Sequence, residues 1–336
     1  MSRTAPAQPG WLLSPAAPGN DPSVPAGVEY HRVLAGEKRR IGRGILAILL
    51  LAAGFILFPT AVGWALAPFD VQRGLVPPIM QGTDYTPLYH AGSMISLGLL
   101  IPWSMIIQRL LYGVPGASLH SVTSRFRFDV AGKALLVLAP VWAVVIVLGF
   151  LTPVEESPWS HTDLVAILLG TLLLTPLQAA GEEYGVRGLI FRVVGGWTRS
   201  SRAGLVAGTV VTAVLFTLAH GATDPYVIVW YLVLFGSLAI ITWRTGGLEI
   251  AVVLHAVLNT LSLAIAPYLR IDLGGALSSR ADVESAVYQL VPTLTVVLIT
   301  AVVWWTTRRS GPLLTPAAAP AAPAASAAEE RQALAR

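Results

Sequence analysis

Apolar residues in this chain gather into long runs separated by short polar connections. Eight such runs stand out, at 43–66, 89–111, 131–152, 163–192, 203–221, 226–243, 247–266 and 286–306. An apolar stretch of roughly 18 or more residues reads as a helix able to cross a hydrocarbon core about 30 Å thick. The expected fold class is all-α, a polytopic membrane bundle of about eight transmembrane helices. The first run is longer than a signal-peptide core and follows a long tail, so it reads as an uncleaved signal anchor.

Outside the runs the pattern changes. Residues 1–36 are rich in Pro, Ala, Gly and Ser, and 311–336 form an Ala/Pro-rich segment. Both are expected to be disordered tails, because such compositions bury too little apolar surface to offset ordering. This leaves 37–310 as the transmembrane domain. An even number of spans puts both tails on one side.

Charge then orients the bundle. Lys38, Arg39, Arg40 and Arg43 precede the first run, and Arg109, Arg125, Arg127 and Lys133 occupy the second connection. Arg192, Arg199 and Arg202 follow the fourth run, Arg244 the sixth, and Arg308 and Arg309 the eighth. Only Arg73, Arg270 and Arg280 fall on the other side. The positive-inside rule therefore predicts a multi-pass plasma-membrane protein with both termini cytoplasmic. Trp64, Trp159, Trp197, Trp243, Trp304 and Trp305 lie near run ends, where indole rings prefer the headgroup level.

Composition removes several classes of function. The residues are 54% hydrophobic and 12% charged, which does not describe a soluble protein. A net charge of +4 is spread between apolar runs rather than gathered in a patch, so nucleic acid is not an expected partner. With no cysteine, disulfides, thiolate metal sites and a cysteine nucleophile are excluded. Any metal would need His and carboxylate ligands.

Three runs carry polar groups that lipid would not tolerate. The fourth holds Glu182, Glu183 and Arg187; the fifth has Phe216 and His220; the seventh has His255 and Asn259. Ionisable residues inside a span face a protein interior or a wet cavity. Helical spacing pairs Glu183 with Arg187, four residues on, and turns Glu182 about 100° away from that pair. The same spacing puts His255 and Asn259 on one face and Phe216 beneath His220. Two adjacent carboxylates thus divide two tasks, with Glu183 in a structural charge pair and Glu182 left to work on water.

The order Glu-Glu-x-x-x-Arg, Phe-x-x-x-His, His-x-x-x-Asn on successive membrane helices resembles the CPBP family of CAAX proteases and bacteriocin-processing enzymes, also called Abi. The likeness covers roughly 163–266. Val186 stands where the family more often has an aromatic residue, and Gly188 follows the arginine. The resemblance implies a bundle of about eight helices, a polar cavity opening to the cytoplasmic side, and hydrolysis of a peptide bond near that membrane face. By the same likeness the catalytic set is Glu182, Glu183, Arg187, His220, His255 and Asn259.

The expected mechanism has Glu182 take a proton from a water held between it and His220, while His255 and Asn259 donate to the oxyanion. A competing version places a divalent metal such as zinc on His220, His255 and Glu182. The expected partners are a peptide or membrane-protein substrate and the lipid bilayer; substrate identity and oligomeric state stay open. Other readings of a buried polar set are an inactive scaffold or a transporter. The first predicts loss of a catalytic position and the second related halves, and the sequence has neither feature. His90 and His161 near the opposite face, and His31 and His120 in connections, are expected to be solvated.

Overall fold

The computed structural model describes residues 23–149, 159–270, 273 and 289–317. Eight helical spans long and apolar enough to cross a membrane account for the eight runs. The first is α1 (Ile41–Val71). The second bends at Leu99 into α2 (Pro87–Gly98) and α3 (Leu100–Tyr112). Next come α4 (Phe128–Gly149) and α5 (His161–Glu183). The latter continues through a π-helical turn, Tyr184–Ile190, into α6 (Phe191–Gly195). The remaining spans are α7 (Ser201–Ala219), α8 (Pro225–Thr245), α9 (Glu249–Leu269) and α10 (Leu290–Thr307). Among the described residues there is no strand, only two isolated bridges.

Local chemistry fixes where the helices begin and end. Thr86, Ser160, Ser200 and Asp224 each accept a backbone N–H of the following turn, and Pro87 and Pro225 open their helices with the φ the first turn needs. Gly246 ends α8 at φ 64°, a left-handed conformation that glycine adopts without strain, and so allows the tight return into α9. Large apolar side chains such as Ile56, Leu136, Leu173, Leu218 and Leu298 point outward. That distribution suits a helix bundle whose solvent is lipid.

The fourth span is the centre of the bundle, with α2 and α9 packed against α5. Gly181 makes the α2 contact possible, since a Cβ there would overlap the Leu97 carbonyl. A Gly181→Ala variant should push these helices apart and cost about 1–3 kcal/mol, the usual range for overpacking. A melting temperature in detergent equal to that of the unsubstituted protein would show that the contact tolerates a methyl group.

The end of the bundle that carries the chain termini is closed by chain the sequence reading left outside the fold. Residues 23–36 are not a free tail: Val24, Tyr30, His31, Val33 and Leu34 are buried. Segment 311–317 is likewise engaged, for the Gly27 N–H donates to the Thr315 carbonyl and the Thr315 N–H to Val28. Both expected boundaries, 1–36 and 311–336, are therefore corrected inward, while 1–22 and 318–336 lie outside the described residues. The physical reason is that a few large apolar side chains, spaced through a Pro- and Gly-rich stretch, find a groove made by distant helices. The contact also places residues 27 and 315 at the same end of the bundle.

Beneath this strap lies a buried polar layer. Tyr30 donates to the Leu119 carbonyl at 2.6 Å, and the Arg192 guanidinium stacks 4.0 Å from the Tyr30 ring centre. Arg192 also donates to Ser118 and Gln108. Arg127 grips Glu249 through two side-chain bonds of 2.8 and 2.7 Å. Burial pushes the Tyr30 hydroxyl up to about 12.

The histidine expectations need correction here as well. His31 is fully buried and bonded to the Ser201 carbonyl at 3.0 Å, and burial lowers it from the usual imidazole range. His90 is fully buried between the Tyr85 hydroxyl (2.8 Å) and Thr171 (3.0 Å). His120 is half-buried and bonded to the Tyr184 hydroxyl. Only His161 is exposed as expected. In each miss the partner comes from another part of the chain.

Candidate active site

The acidic pair sits at the junction of α5 and the π-helical turn. A π turn is rare and places one extra residue in the helical circuit, so it re-aims the side chains that follow. Here it carries Arg187, whose guanidinium lies 3.2 Å from Glu183 Oε1, both residues being fully buried. The guanidinium nitrogens have no well-aligned hydrogen-bond acceptor, so the pair is an electrostatic contact rather than a bonded fork. Its other faces are aromatic: the Phe216 and Phe235 rings lie 4.7 and 4.8 Å from the guanidinium carbon, which offsets part of the charge's desolvation.

His255 is clasped by both carboxylates. It donates through Nδ1 to Glu183 Oε1 at 2.8 Å, while its Nε2 lies 3.5 Å from Glu182 Oε2. Glu183 therefore does more than pair with Arg187, because it also orients an imidazole from another helix. Glu182 Oε2 is buried without a hydrogen-bond partner. A polar atom in that condition is costly unless water or a ligand reaches it.

His220 stands at the end of α7. Its Nδ1 is 2.7 Å from the Phe216 carbonyl, which can only accept, so Nδ1 carries a proton. In the neutral ring Nε2 is then an acceptor. Phe216 packs edge-on against His220 with ring centres 4.8 Å apart, and Tyr231 and Phe235 cover the imidazole at 4.6 and 5.0 Å. Asn259 donates to Gln178 Oε1 at 3.3 Å, and Gln178 shares the cavity wall with Glu182.

A cavity of about 820 Å³ joins these groups, with Glu182, His220, His255 and Asn259 all on its wall. Glu183 and Arg187 stand behind that wall as support. Sequence reasoning missed Gln178, Tyr231 and Phe235. Gln178 was detectable as a polar residue four before Glu182, hence on the same helical face; the two aromatics look like any others in an apolar run.

The cavity's remaining wall gives it a direction. Beyond Asn259 it passes Ser262 and Leu263 on α9 and Tyr89 on α2, and reaches Tyr85, Thr83, Gly82 and Pro78 in the connection between α1 and α2. That connection is at the end opposite the chain termini. The end of the bundle where residues 27 and 315 meet is filled by the strap and the polar layer.

Fold and pocket define a multi-pass membrane protein with a buried acid–imidazole–amide centre. Residues 162–261 match the family described as type II CAAX prenyl endopeptidase Rce1-like, so this segment is similar to peptidases of the CPBP group. No curated protein and no solved structure matches the chain. The matched segment begins one residue into α5 and ends on α9, and it contains all six residues of the expected set.

A metal fits the donors poorly. Among the described residues no three of His, Asp and Glu form a group able to hold one. The His255 ring already faces one carboxylate through each nitrogen.

Proposed function

We propose that this protein is an intramembrane endopeptidase that activates water with Glu182. The observation that carries the reading is the buried, unpartnered Oε2 of Glu182 on the wall of a cavity that also presents two imidazoles and an amide. A water at that oxygen is within the reach of a general base, and His220 lines the same cavity. Glu182 takes the proton as the water oxygen bonds to the peptide carbonyl carbon. The carbonyl π electrons move onto oxygen, giving a tetrahedral oxyanion.

His255 and Asn259 are the donors for that oxyanion. The set of Glu182, Glu183, Arg187 and His255 is electrically neutral when both carboxylates are ionised and His255 bears two ring protons. In that form Nδ1–H stays on Glu183, and Nε2–H, its nitrogen 3.5 Å from Glu182 Oε2, turns to the oxyanion once Glu182 has taken the proton of the water. Preorganised donors of this kind are worth about 3–4 kcal/mol each in a water-poor site. Collapse of the intermediate breaks the C–N bond, and the proton held by Glu182 passes to the leaving amine. Glu183 and Arg187 act as positioning residues.

The test is proteolysis by the purified protein in liposomes, read as new peptide N-termini by mass spectrometry. Cleavage should persist after exhaustive chelation. Loss on chelation with recovery on adding zinc would replace the glutamate mechanism by the metal one, and no cleavage in any condition would end the hydrolase reading.

A further inference from the structure

We infer that the centre is loaded from the extracytoplasmic face and takes an uncharged, apolar stretch of peptide rather than a cytosolic chain end. This deepens the hydrolase reading and rests on it for the word substrate; the side of entry stands on separate observations.

The first is charge. Lys38, Arg39, Arg40, Arg43, Arg199 and Arg202, with the other basic connections, cluster at the end where residues 27 and 315 meet, which makes that end cytoplasmic. The second is closure of that end. The connection 113–127 folds across the bundle, where the Val122 N–H donates to the Gly246 carbonyl and the Leu248 N–H to that of His120. Under it, Tyr184 bonds His120, Arg192 fills the space beside Ser118, and Arg127 holds Glu249. No residue of this layer lies on the cavity wall.

The third is the opposite end. Thr83 is exposed and on the cavity wall, and a continuous lining runs from it past Tyr89 and Ser262 to Glu182. The lip is held in shape by bonds of its own: Tyr85 to His90, and Thr86 to Asp70 at 2.7 Å.

The lining also states what fits. Glu182 is its only acid, and no Lys or Arg lies on it among the described residues. A C-terminal carboxylate would find no cation there and would face Glu182, an unfavourable approach in a low-dielectric site. Proline, tyrosine, leucine and tryptophan together with Met94 and Phe235 make up just over half of the lining, so an apolar backbone segment is the ligand that loses least on entry. The class of substrate is thus an apolar peptide segment presented at the outer surface, cleaved internally.

The chain's lack of cysteine makes the side of entry directly measurable. Thr83→Cys, Ser262→Cys and, as a marker of the other face, Ser200→Cys should each be expressed and treated with a charged, membrane-impermeant maleimide. Thr83→Cys and Ser262→Cys should label in intact cells or spheroplasts, and Ser200→Cys only after permeabilisation. Labelling of Thr83→Cys only after permeabilisation would overturn the proposal. So would an outside Thr83 with Ser262 reachable only from inverted vesicles. If Ser262→Cys does not accumulate, the exposed Thr83 position still decides the face. Correct labelling without peptide cleavage would count against the hydrolase reading while leaving the side of the mouth standing.

Discussion

Replacing Glu182 with glutamine should lower the rate of peptide hydrolysis by about 10²- to 10⁴-fold, the usual contribution of a general base, while leaving the melting temperature unchanged. The amide keeps the shape of the carboxyl, so the architecture around it has no reason to shift. What it cannot do is accept a proton from water. A single-turnover assay in liposomes separates this from weaker binding, since the loss should appear in kcat rather than KM. A Glu182→Gln protein cleaving at the unsubstituted rate would remove Glu182 from the chemistry.

The second large effect should come from Arg187→Leu, and it should be one of stability. Both members of the Arg187–Glu183 pair are fully buried at a separation of 3.2 Å. Removing one partner of such a pair leaves an uncompensated charge and typically costs about 3–5 kcal/mol. The loss should be greater than for Arg187→Leu combined with Glu183→Gln, because the double substitution removes the stranded carboxylate as well. Thermal unfolding in detergent checks the ordering of the three proteins. An Arg187→Leu melting curve that overlies the unsubstituted one would mean that His255 alone neutralises Glu183.

The contrast between these variants shows what adjacent glutamates accomplish at this point of the helix. One turns into the cavity and keeps an oxygen free; the other turns into the bundle and is tied to two cationic or potentially cationic groups. The division was legible in the sequence because it follows from the 100° step between neighbours. That Glu183 also aims His255 was not legible, for nothing in the local sequence of either residue names the other, 72 positions away.

The spans were readable for the same kind of reason. Hydrophobic length is a one-dimensional property, and lipid imposes it on every helix separately. The bend at Leu99 and the π turn after Glu183 belong to packing, and no periodicity announces them. The buried histidines show the limit most plainly: besides nearby Tyr85, His90 owes its place to Thr171, and His31 owes its own to Ser201, partners supplied by other parts of the chain. Residues 23–36 were misjudged because composition averages over a segment, whereas burial there depends on individual anchors such as Tyr30 and Leu34.

The backbone bonds between residues 27–28 and 315 have a consequence for chain order. Residues 27–28 and 315 are therefore neighbours across most of the length of the chain, with no peptide bond joining their segments. A short linker across that junction, with new ends cut in an exposed connection elsewhere, leaves every helix with the same companions; proximity of ends is what circular permutation requires.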